Sequence, residues 1–166
     1  MRANRFAGGP VEIAYRADLR DTAGNAAHAA TFIRKRLIVL DEELKPGSAE
    51  HERVLCHEMF HFVWVRLGNP RRLAWGRLLE AEWNARARGE AGWSAEWRKK
   101  ALRSSDVAGR TRRWREYCCE SFCDTAAWLF ASNESEVTLG KLRRAGRKAW
   151  FARHIGNEGA GSSIPI

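Results

Sequence analysis

Between Ser48 and the break at Gly68-Asn69-Pro70 the chain reads AEHERVLCHEMFHFVWVRL. Apolar residues recur there at helical spacing, Ser48 is a good N-cap, and Gly-Asn-Pro cannot continue the pattern, so the stretch predicts a helix. Inside it lies His57-Glu58-Met59-Phe60-His61. At 3.6 residues per turn His57 and His61 leave nearly the same face about 6 Å apart along the axis, and both imidazoles can reach one tetrahedral ion such as Zn2+. This limits the fold more than any other feature. Two histidines leave zinc short of a protein ligand, so a second element must pack on this helix and bring another donor.

Glu120 is the candidate for that donor. From Thr111, a good N-cap, RRWREYCCESFCDTAAWLF predicts a second long helix, and Glu120 and Asp124 lie one turn apart on one of its faces. They sit among Cys, Phe, Ala and Trp, where an unpartnered carboxylate is costly to bury. One of the two can bind metal while the other orients a ligand imidazole. Glu58, beside the histidines, is placed to take a proton from water activated by the metal and to pass it to a leaving amine. A hydrolase of this kind also needs a group for the developing oxyanion. His154, at the end of a basic helix, and Tyr117, one turn before Glu120, are the candidates.

The rest of the chain frames these helices. Residues 11–19 and 31–40 are rich in β-branched and aromatic residues and flank a turn-like segment, which predicts a hairpin or part of a small sheet. Further helices are expected over 71–88, from Ser94 through Arg103 and over 139–154, with SSDVAGR as a loop between them. Strands first and helices after give an α+β class, a small antiparallel sheet on a mainly helical body, in one domain over 1–166 with a mobile tail at 155–166. The eight tryptophans fall mostly in helical segments and read as core. Cys56, Cys118, Cys119 and Cys123 crowd around the motif residues and read as reduced, packed thiols, while His28 and His51 read as surface residues. There is no signal-peptide core, and the run FVWV is far too short to cross a bilayer, so a cytoplasmic protein without membrane contact is expected.

Charge is unevenly placed. Residues 66–115 carry fourteen Lys or Arg against five Asp or Glu, an excess equal to the whole net charge of +9. Such a stretch can hold nucleic acid or an acidic partner, or can simply form solvated helix faces.

HExxH followed by a helical ExxxD resembles the gluzincin clan of zinc peptidases, which includes thermolysin, and ESFCDTAAWL further resembles the corresponding helix of ImmA/IrrE-type peptidases. The resemblance implies a zincin-like fold, His57, His61 and Glu120 as zinc ligands, Glu58 as general base and Asp124 as support for a ligand histidine. It also implies a peptide or protein substrate, which can lie extended along the edge of the strand FIRKRLIVL. The spacing from His61 to Glu120 is longer than in those relatives. LCHEMFH is also similar to the motif helix of SprT-like DNA-associated proteases, but their third ligand is a nearby His, and this chain has none between His61 and His154. The alternative from another class is a zinc-containing nucleic-acid-binding or regulatory protein that uses the basic region 66–115.

Overall fold

The computed structural model describes residues 6–20, 24–131, 137–156 and 164–166. The architecture is α+β and mainly helical. Strands β1 (Phe6–Ala7), β2 (Glu12–Arg16), β3 (Ala29–Phe32) and β4 (Leu37–Asp41) precede α1 (Ala49–Arg66), α2 (Asn69–Asn84), α3 (Trp93–Lys100), α4 (Ser104–Ala108), α5 (Arg112–Phe130) and α6 (Lys141–His154), and β5 (Ile164–Pro165) ends the chain.

The segment 31–40 is not one strand. A 3₁₀ turn at Ile33–Lys35, closed by Arg36 with φ 50°, reverses the chain after β3. The hairpin therefore forms inside that segment, β3 pairing antiparallel with β4, while β2 pairs with β4 in parallel. The sheet order is β2-β4-β3, so the sheet is mixed and not antiparallel throughout. Its edge beside α1 is β3, and β4 is central, with Ile38 and Leu40 fully buried.

Helix α1 starts as its sequence predicts, the Ser48 hydroxyl accepting from the backbone of His51. It packs chiefly on α5. Small residues on α5, among them Ser121, Thr125 and Ala126, are wholly buried and let the two helices approach closely enough for the Cys56 thiol to reach the Ala126 carbonyl at 3.7 Å. Phe60 of α1, Trp75 of α2, Phe122 of α5 and Phe151 of α6 meet in one aromatic cluster, with the Phe122 and Phe151 centroids 4.9 Å apart. Trp75, Trp114 and Trp150 are core residues as expected, but Trp93 and Trp97 are not.

Two further readings are corrected. SSDVAGR holds the short helix α4, because Asp106 accepts from the Arg103 backbone at its start and from the Thr111 hydroxyl beyond its end. The chain end is not loose throughout, since Ile164 and Ile166 are buried and β5 pairs with β1; residues 157–163 lie outside the described part.

One buried cluster carries charge. Arg147 of α6 is fully enclosed and its guanidinium meets Glu82 of α2 at 2.7 Å and Glu90, in the segment entering α3, at 2.6 Å. Tyr117 donates to Glu90 at 2.5 Å and Lys99 of α3 stands 3.0 Å from it. Burial disfavours the Glu90 carboxylate, but Arg147, Lys99 and Tyr117 outweigh this and hold its pKa at about 2. The network ties α2, α3, α5 and α6 together behind the site.

Candidate functional site

The histidines of α1 face α5, as the spacing of the two motifs predicts. The His57 Nδ1–H donates to Asp124 Oδ1 at 2.7 Å, which leaves Nε2 turned towards Glu120, 3.3 Å from its Oε2. The two rings, His57 and His61, stand with centroids 5.0 Å apart. Glu58 approaches His61 Nε2 at 4.0 Å. These four side chains, His57, Glu58, His61 and Glu120, line one open pocket of about 450 Å³, walled by Ala29 to Thr31 and Ile33 on one side and by Ser94 and Arg98 of α3 on the other.

Asp124 is buried and does more than hold His57. Its second oxygen, Oδ2, accepts from the backbone N–H of Ala95 at 2.8 Å. That N–H is one of the amides at a helix start that lack an intrahelical partner. Helix α3 has no side-chain cap of its own, and Ser94, where the helix was expected to begin, lies within its first turn. A carboxylate on α5 therefore caps α3 and orients a histidine of α1 at once. Gly92 permits it, because a Cβ there would come within 2.5 Å of Asp124 Cγ.

Thr31 and Arg98 also belong to the site, though no sequence motif marks them. The Thr31 hydroxyl, on the edge strand β3, donates to Glu58 Oε2 at 2.6 Å. Arg98 of α3 places Nη2 3.3 Å from Glu120 Oε1, donates from Nη1 to the Ser94 carbonyl and lies over the Trp97 ring. It is the one Lys or Arg lining the pocket among the described residues. Their partners are 27 and 22 positions away in sequence, so only a long-range contact could have revealed them.

The two proposed oxyanion residues fall elsewhere. Tyr117 is buried against Glu90 in the charged network, its phenol pushed further up by burial and by that carboxylate. His154 packs tilted against Trp150 with centroids 4.5 Å apart, and burial together with Arg153 and Arg71 lowers its pKa. Neither lines the pocket. His51, expected at the surface, is buried and shares a 2.9 Å hydrogen bond with Tyr15, whereas His28 is exposed. Cys56 behaves as a packed thiol, pushed up to about 12 by burial.

Electrostatics follow from this packing. Burial opposes a charge on His57, yet Asp124, Glu120 and Glu58 overcome it and raise its pKa well above 6.5. Burial also opposes the Glu120 carboxylate, but His57, His61 and Arg98 keep its pKa at about 2. His61 turns Nδ1 to the thiols of Cys119 and Cys123, each at 3.5 Å. Hydrogen bonds from Cys123 and His61 lower the Cys119 pKa, while burial raises that of Cys123.

Donor atoms of His57, His61 and Cys123 lie within 4.8 Å of one another, so the group can hold a metal ion. Glu120 offers a competing third donor. Cys123 is fully buried, whereas Glu120 lines the pocket and lies 3.3 Å from His57 Nε2. Compared with family models, with curated proteins and with solved structures, the chain matches none.

Proposed function

We propose that the chain is a zinc-dependent peptidase of the gluzincin type, with a zincin-like fold, in which His57, His61 and Glu120 hold the metal. The observation that carries this reading is the 3.3 Å separation of His57 Nε2 and Glu120 Oε2. Donors about 2.0–2.1 Å from a tetrahedral ion stand about 3.3–3.4 Å apart, so the pair already spans one edge of such a site. The donor set of two imidazoles and one carboxylate suits zinc and leaves one position open. Asp124 fixes the His57 tautomer with Nε2 free for the metal. Arg98 engages Oε1 of Glu120 and so presents Oε2 alone.

When bound, zinc supplies Lewis acidity towards the scissile carbonyl and towards water. Glu58, aligned by Thr31, takes a proton from the attacking water as oxygen adds to the carbonyl carbon. The same carboxyl then returns that proton to the amine nitrogen as the C–N bond breaks. The apolar and backbone wall of β3 gives an extended peptide an edge to pair with.

The test is zinc content measured together with cleavage of an unfolded protein such as casein. About one zinc per chain is expected, falling sharply in His57→Ala, His61→Ala and Glu120→Ala. Glu58→Gln should keep its zinc and lose activity by about a hundredfold or more. Full zinc in Glu120→Ala with loss in Cys123→Ala, or wild-type cleavage by Glu58→Gln, would refute the assignment.

A further inference from the structure

Of the eight tryptophans, Trp93 and Trp97 are 68% and 57% exposed, and both belong to α3. Their rings lie nearly parallel, 15° apart in plane, with centroids separated by 6.4 Å. Exposing two such rings side by side forgoes the apolar burial that places tryptophan in cores, and a contiguous exposed patch of this kind marks an interaction surface. The helix that carries them is firmly held. Asp124 caps it, Ala95 is fully buried, and Lys99 bonds the Gly89 carbonyl and Glu90.

The patch adjoins the cleft. Ser94 and Arg98 line the pocket, and each follows one of the two tryptophans by a single residue, a rotation of about 100° around the helix. The Arg98 guanidinium lies over the Trp97 ring, 5.4 Å from its centroid, and contacts Glu120 as well. The pocket wall also includes Val65, which is 45% exposed.

Charge decides between the two partners that could use stacked aromatic rings. Nucleic acid needs unpaired cations beside the rings, since its binding draws on phosphate neutralisation. Here Arg98 faces Glu120, Lys99 faces Glu90 and Lys100 faces Glu96 at 2.9 Å, so these three cations of α3 are already matched by carboxylates. An uncharged, flat, apolar side chain fits the patch better.

We infer that Trp93 and Trp97 form a subsite for an aromatic side chain of a polypeptide whose backbone lies in the adjoining cleft. This rests on the peptidase reading and names its substrate class, chains with an aromatic residue close to the scissile bond.

The probes are two blocked decapeptides of Gly and Ser that differ only in one central residue, Phe or Ala. Each is titrated calorimetrically into the full-length Glu58→Gln protein as purified, with and without the paired change Trp93→Ser and Trp97→Ser. The Phe peptide should bind about tenfold more tightly than the Ala peptide, and the preference should vanish in the paired variant. Shifts of the Trp93 and Trp97 indole N–H resonances on adding the Phe peptide, assigned with Trp93→Phe and Trp97→Phe, read the same contact with aromatic rings kept at both positions. No Phe preference, a preference that survives loss of both rings, or salt-sensitive binding of a dT12 oligonucleotide lost with the rings would overturn the subsite. Absence of Phe preference alongside Glu58-dependent cleavage sinks the subsite alone. A Phe preference without any zinc-dependent cleavage sinks the peptidase reading instead.

Discussion

The two oxygens of Asp124 face different elements, one the ring of His57 and the other the start of α3. Asp124→Asn keeps the shape but weakens the acceptor, and should reduce zinc affinity about 10- to 100-fold with the fold intact. Gly92→Ala tests the same geometry without touching a polar group. Gly92 has φ −172°, extended backbone open to any residue, so its only cost is the methyl driven into Asp124 Cγ at 2.5 Å. A comparable loss of zinc affinity is expected, read by competition with a chromophoric chelator; unchanged affinity in both variants would mean that Asp124 does not orient the site. His57, Glu58, His61, Glu120 and Asp124 were legible in the sequence because helical geometry turns spacing into position. Thr31 and Arg98 were not, since a threonine in a strand and an arginine among many have no local signature. Tyr117 and His154 were misplaced for the converse reason: their residue types suit the task, but spacing could not say that one faces the charged network and the other Trp150.

Helices announced themselves better than strands. The start of α1 follows from the Ser48 cap, and Thr111 does stand at the N-cap position of α5, although its hydroxyl bonds Asp106 and makes no cap; the reversal at Arg36 lies in a residue type that gives no turn signal, so two strands read as one. Helix α4 was hidden because its stabilising groups, Asp106 with the Arg103 backbone and Thr111, act across its ends. The contact that fixes the middle helices is the enclosed Arg147, whose partners lie 65 and 57 positions away. Replacing it with Met leaves Glu82 buried without its cation and Glu90 with Lys99 alone, and Arg147→Met should lower unfolding free energy by about 3–5 kcal/mol in urea titrations. Because Glu90 sits at the entry to α3, looser binding of zinc should accompany that loss. Wild-type stability in Arg147→Met would show that the network is not what holds these helices together.

At the scale of the whole molecule, protons and metal compete for the same stability. The raised pKa of His57 means that its charged form stabilises the metal-stripped fold fully below about pH 6.5, and that this contribution is lost as pH rises through the raised value. Glu120, lowered from 4.5 to about 2, contributes above 4.5 and loses its contribution as pH falls towards 2. If His57 is a zinc ligand as proposed, the ion has to displace its proton, so the stabilisation by zinc grows as pH rises. As pH rises above about 6.5 the gain in Tm on adding zinc should therefore rise; a gain that shrinks with pH would contradict the assignment of His57 as ligand. The α+β class and helical bulk were legible, and no described helix is long and apolar enough to cross a membrane. What the sequence concealed is how the basic stretch is used, for at α3 its cations face inward carboxylates. The distance of 67 residues between His57 and Asp124 has one more consequence. On the ribosome the helix with both histidines emerges long before the carboxylates that complete its site. Until α5 has cleared the exit tunnel the histidines have neither Glu120 nor Asp124 beside them, so on the proposed reading the site can form only after α5 has emerged.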